Sequence, residues 1–172
     1  MSEPEAQADR WPAGNLWRPV PSFASPPPEA ARQLADLWAD LDRQLAQPQA
    51  ACHACGECCD FPRRGHVLFA TKLELDVCLS WARDQAVTPE PTARRRLAAG
   101  ECPFLEGGRC GVRPARPVGC RIYFCRVSST EQVENIASTA QQRLRSISME
   151  HNGTDWYGPA LAYLETNVSN FR

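Results

Sequence analysis

The chain has 172 residues, 19 Lys and Arg against 20 Asp and Glu, a net charge of −1, and nine cysteines. This length suffices for one domain with its own apolar core. The near-cancelling charge argues against a broad basic footprint for nucleic acid, and no apolar run approaches the roughly 20 residues a membrane helix needs.

The N-terminus, MSEPEAQADRWPAGNLWRPV, has early acids, no basic start and no apolar stretch, so it does not read as a secretory signal. The expectation is a cytoplasmic protein whose cysteines are thiols rather than disulfides. Residues 1–28 end in Ser25-Pro26-Pro27-Pro28 and read as a disordered or docked lead, since repeated prolines remove backbone donors. Trp11, Trp17 and Phe23 point to docking, with a protein partner as the alternative. The rest, 29–172, reads as a single domain with a cysteine-rich core over 51–127 and a helical segment over 128–172.

EAARQLADLWADLDRQLA, residues 29–46, carries Leu34, Leu37, Trp38, Leu41 and Leu45 on one helical stripe, with prolines at 28 and 48 as boundaries. This helix is expected to pack on the cysteine-rich unit. His66-Val67-Leu68-Phe69 has strand character. Thr71-Lys72-Leu73-Glu74 has the spacing of a capping box, which predicts a helix from about 72 to 86 with Leu73, Val77 and Trp81 on one face. A short helix near 92–99 should stop at Gly100. Gly107-Gly108 predicts a tight turn between Cys102 and Cys110, and residues 111–127, rich in Pro and Gly, read as irregular. A long helix is expected from about 130 to 151, capped by Ser129 or Thr130, with Val133, Ile136, Ala137, Ala140, Leu144 and Ile147 as its stripe. A last helix should span 157–165. The fold class is therefore a small α+β protein, mostly helical, with an irregular, metal-centred cysteine core flanked by N- and C-terminal helices.

The cysteines carry the chemistry. Cys78 sits inside a predicted helix and reads as a small core residue. The other eight form two blocks: Cys52, Cys55, Cys58 and Cys59 in CHACGECC, and Cys102, Cys110, Cys120 and Cys125. Thiols crowded at such spacing in a reducing compartment point to metal. Thiolate is a soft ligand suited to zinc, iron–sulfur clusters or copper(I). A C-x2-C-x2-C run resembles the one that supplies three ligands of a cubane in bacterial ferredoxins. Adjacent Cys58 and Cys59 point to opposite sides in extended backbone, so they could serve two centres or one. Eight thiolates divide into two four-ligand sites, or into one cluster with spare thiols. A four-thiolate centre is anionic and requires compensation. Arg109, Arg113, Arg116, Arg121 and Arg126 thread the second block, and Arg116 and Arg121 are the candidates for guanidinium groups behind the ligands. The triple run and the arginines favour iron over zinc. His53, His66 and His151 are not needed as ligands. No Gly-rich phosphate loop or G-x-S-x-G elbow is present.

CHACGECC, then TKLE, then CPFLEGGRCGVRPARPVGCR, in order over residues 52 to about 125, resembles the YkgJ-type cysteine-cluster family, the CxxCxxCC or zinc- or iron-chelating domain. The resemblance implies metal chelation by Cys52, Cys55, Cys58, Cys59, Cys102, Cys110, Cys120 and Cys125. Its best-understood relatives are flagellin lysine N-methylases associated with an iron–sulfur cluster. This chain departs from the family where Gly111-Val112-Arg113 replaces an aromatic after the turn cysteine, and the activity of those relatives is not carried over. The expected function is chelation of iron, as an iron–sulfur cluster, with redox or modification chemistry built on it. The alternative is a zinc-binding structural or interaction module without catalysis. The expected partner is a metal ion or cluster, with neither nucleic acid nor membrane.

Overall fold

The computed structural model describes residues 19–46, 52, 55–123, 130–152 and 156–171. Trp11, Trp17, His53, Cys125 and Ser129 lie outside the described residues. The fold is small and mostly helical, with two short two-stranded sheets, an α+β arrangement as expected.

Helix α1, Pro28–Leu45, begins with proline at its first position, where the missing N–H is not needed. Its stripe of Leu34, Leu37, Trp38, Leu41 and Leu45 is buried. It packs chiefly on the long helix near the C-terminus, Glu131–Asn152, rather than on the cysteine-rich unit alone. Val133, Ala140 and Leu144 of that helix complete one apolar cluster with α1. Thr130 Oγ1 accepts the Val133 N–H at 3.3 Å, so Thr130 supplies the cap. Arg143 Nη1 donates to Asp40 Oδ2 at 2.6 Å across the same pair.

After a short helix α2 (Phe61–Arg64), strand β1 (Phe69–Thr71) leads into helix α3 (Lys72–Asp84). The strand thus starts at the end of the apolar run predicted for it. Thr71 caps α3 through a complete capping box, as its spacing predicts. The single apolar face predicted for α3 is incomplete. Leu73 joins the α1 cluster, while Leu75, Cys78, Leu79 and Ala82 join a second cluster on the other side. The helix therefore forms a wall common to both cores.

Helix α4 (Glu90–Ala98) ends before Gly100, and strands β2 (Leu105–Glu106) and β3 (Arg109–Cys110) form a hairpin. Gly107 and Gly108 both have positive φ, 53° and 75°. A two-residue hairpin turn of this hand requires that conformation at both positions. Residues expected to be irregular instead contain a five-residue helix, α5 (Val118–Ile122), started by Pro117. The long helix is α6 (Glu131–Asn152). Tyr157–Pro159 is strand β4, not the start of the last helix, which is α7 (Ala160–Thr166). Strand β4 pairs antiparallel with β1, Phe69 opposite Pro159 and Thr71 opposite Tyr157.

The described part of the lead docks on α3 and on Asn167, just after α7. Asn167 Oδ1 accepts the Phe23 N–H at 2.6 Å, and its Nδ2 donates to the Pro21 carbonyl at 3.1 Å. Asp76 Oδ1 accepts the Ala24 N–H at 3.2 Å, and the Arg83 guanidinium lies 5.2 Å from the Phe23 ring centre. No helix among the described residues is long and apolar enough to cross a membrane.

Candidate functional site

Four separate stretches of chain deliver the cysteines. Cys52, Cys55, Cys58 and Cys59 come from the loop and 3-10 turn Glu57–Cys59. Cys102 follows α4, Cys110 ends β3, and Cys120 lies in α5. Cys59 and Cys102 are joined through backbone, the Cys102 N–H donating to the Cys59 carbonyl at 3.0 Å. The glycine inside CHACGECC has a steric reason. Gly56 has φ 70°, and a Cβ there would sit 2.4 Å from the Gly108 carbonyl oxygen. Only glycine lets the loop close onto the hairpin turn. Asp60 ends the loop by accepting the Arg63 N–H at 3.2 Å, which starts α2.

These segments bring seven of the eight nominated cysteines to a single cavity of about 60 Å³: Cys52, Cys55, Cys58, Cys59, Cys102, Cys110 and Cys120. The eighth, Cys125, lies outside the described residues. Cys78 lines the same cavity from α3 while packing in the apolar core. Leu75, Phe104, Val112, Leu161 and Leu164 are among the apolar residues of its wall. A cavity of that size accommodates an ion or a few water-sized groups.

The thiols are turned toward one another. Cys59 is the hub: its single S–H can hydrogen-bond to Cys102, Cys110 or Cys58, and these neighbours push its thiol well up. That hydrogen bond is the largest reason the Cys58 thiol is lowered to about 6, with help from the positive charges of Arg116 and Arg113. Cys110 is lowered to about 7, again first by Cys59. Burial pushes the thiols of Cys78 and Cys120 well up. The cavity therefore mixes thiols that ionise readily with thiols that resist it. Among the described residues no group of three or more Cys, His, Asp or Glu side chains is arranged to hold a metal ion.

Arg116 and Arg113 line the cavity mouth. Both donate to Cys52 Sγ, Arg113 Nη1 at 3.4 Å and Arg116 Nη1 at 3.6 Å. Arg121 lies elsewhere and does not line the cavity. Its Nε donates to the Arg116 carbonyl at 2.9 Å, its Nη2 to the Pro114 carbonyl at 2.6 Å and its Nη1 to Asp42 Oδ2 at 2.6 Å. Its guanidinium also covers the Trp38 ring at 4.8 Å. Arg121 shapes the loop that carries Arg116 and fastens it to α1. Nothing in the cysteine spacing separates Arg113 from the other arginines of the block.

Outside the thiol cavity, and sharing Cys58 and Cys120 with it, lies a shallow groove of about 300 Å³ lined by Phe61, His66, Phe69, Tyr123 and Tyr157. The His66 ring stacks on Tyr123 with centroids 4.5 Å apart. His66 is thus packed in an aromatic wall.

Comparison of the chain with protein-family models, curated proteins and solved structures returned no match in any of the three.

Proposed function

We propose that this protein is a cytoplasmic metal-binding protein whose cysteine cavity chelates iron, in the form of an iron–sulfur cluster. One observation carries this reading: chain segments far apart in sequence converge to line one cavity with thiols. The donor set fits such a group. Sulfur is a soft donor matched to iron–sulfur clusters and zinc, and Arg113 and Arg116 place positive charge where thiolates would accumulate negative charge. Cys52, Cys55, Cys58, Cys59, Cys102, Cys110 and Cys120 would hold the metal, with Cys125 as the further candidate that the resemblance to the YkgJ-type family supplies. An iron–sulfur cluster contributes one-electron transfer when bound. The chain's own residues do the rest. Leu75, Phe104 and Leu164 give the cavity an apolar side, and Cys58 and Cys110 give up their protons near neutral pH.

A second reading, zinc as a structural ion, has its own support. The segments that carry the cysteines are short: a 3-10 turn, a two-residue strand and a five-residue helix. A bound ion would fold such segments by cross-linking them.

The test is metal and acid-labile sulfide content, with the absorption spectrum, of protein purified without oxygen. Iron with sulfide supports the first reading, zinc without sulfide the second, and protein free of both after metal supplementation contradicts the two together.

A further inference from the structure

Glu74 is a capping residue by its sequence spacing, yet only half of its carboxylate is used for that. The side chain is 1% exposed. Oε2 accepts the Thr71 N–H at 2.9 Å and the Thr71 hydroxyl at 3.0 Å. Oε1 accepts the Val118 N–H at 2.7 Å, across 44 residues of sequence. Val118 opens α5, two residues before Cys120. We infer that Glu74 is a positioning residue for the Cys120 arm of the thiol cavity, holding α5 against α3, and this rests on the reading of that cavity as a metal site.

The chemistry requires a carboxylate. Burying a charged group is unfavourable unless its lone pairs are matched by donors, and here both oxygens are matched. A capping box alone needs a single acceptor and tolerates exposure to water. Two buried acceptor oxygens are needed because the donors belong to two segments. The same arm is fixed from its other side by Arg121, which holds the Pro114 and Arg116 carbonyls. Between these two clamps the backbone over 114–121 has its path set, and Cys120 is aimed at the cavity. Cys120 sits on a helix of only five residues, too short to hold its own place, so it relies on such external ties.

Glu74→Gln tests this. An amide offers one oxygen, so it can accept from Thr71 or from Val118 but not from both. Thr71→Val is the control, since it removes the capping hydroxyl and leaves the Val118 bond intact. The first readout is the alkylation rate of Cys120 in metal-free protein, measured site by site by mass spectrometry against Cys78 on α3. The Cys120 to Cys78 ratio should rise about tenfold or more in Glu74→Gln, because α5 opens locally more often, and stay at the wild-type value in Thr71→Val, although both lower the melting temperature. An equal ratio in the two variants would reduce Glu74 to a cap and overturn the inference. If Glu74→Gln does not fold, Val118→Pro removes the N–H donor and exchanges the buried Val118 side chain for another apolar one, at a helix start that accepts proline and after a residue already extended at φ −57°, ψ 160°. It should raise the ratio in the same way, and an unchanged ratio there also overturns the inference. The second readout is affinity for zinc or iron, expected to fall about 10- to 100-fold in Glu74→Gln. A wild-type protein that binds neither metal would refute the metal reading, while the alkylation ratio would still decide the role of Glu74.

Discussion

The α1–α6 face and the thiol cavity are held by different physics. The first is two helices whose apolar stripes meet, α1 opened by proline and α6 capped by Thr130, with Leu34, Leu37, Leu41 and Leu144 at 3% exposure or less. Its stability comes from apolar area removed from water, and its ends are set by local signals. The second has no helix of its own longer than five residues among the described segments of its second cysteine block. It is held by single hydrogen bonds between distant backbones, by buried side chains such as Glu74 and Arg121, and by contacts among thiols. A helix pair of the first kind can be substituted piecemeal with graded loss. A region of the second kind depends on a few specific groups, which suits a place where a metal would take part in the folding.

Metal removal should separate the two most sharply. Chelation of the loaded protein is expected to destabilise the thiol region by several kcal/mol, on the order of structural-metal effects in other small sites. In hydrogen exchange, amides over 102–120 should then lose protection while those of α1 and α6 keep it. Equal loss in both regions would mean that the two are one cooperative unit. Leu37→Ala should break the other side. It opens a gap in the α1 stripe at about 2–5 kcal/mol, read by urea unfolding, and should leave the alkylation rates of Cys58 and Cys110 in the folded protein unchanged. Arg121 links the regions, so its loss should register in each. Arg121→Met leaves the Pro114 and Arg116 carbonyls without their donor, at about 1–3 kcal/mol, and should raise exchange both in α5 and near Asp42 of α1.

The smallest effect concerns pH. Burial holds the Glu74 carboxyl above its usual range. As pH rises past the unfolded value of about 4.5, the unfolded chain releases its proton first. Stability from this group is therefore fully present below that pH and falls as pH rises toward the folded value. Glu74→Gln in metal-free protein should remove that downward slope. The check is the urea midpoint across this window, and an unchanged slope would mean another group causes it.

The same division governs what could be read from the residues alone. The α1 stripe, the Thr71 cap, the Gly107-Gly108 turn and the Thr130 start of α6 are local, and each is where its pattern places it. The pairing of Phe69–Thr71 with Tyr157–Pro159 was not legible, because three-residue strands carry too little alternation and the partner is far along the chain. Cys78 reads as a core residue and is one, yet its helix also faces the thiols, and periodicity on a helix buried on both sides cannot tell those surroundings apart. Glu74 showed its local role in the spacing and hid its distant one. The charge of Arg121 marks it as a partner for thiolates, whereas its donors go to carbonyls and Asp42. The cysteine spacing, by contrast, already named seven residues that the fold brings to a common cavity.

The most direct test of that convergence is a site-by-site alkylation map of metal-loaded and metal-stripped protein. One shared site predicts that Cys52, Cys55, Cys58, Cys59, Cys102, Cys110 and Cys120 are protected when loaded and become reactive together when stripped. Protection confined to the CHACGECC cysteines, with Cys102, Cys110 and Cys120 reacting alike in both forms, would contradict it.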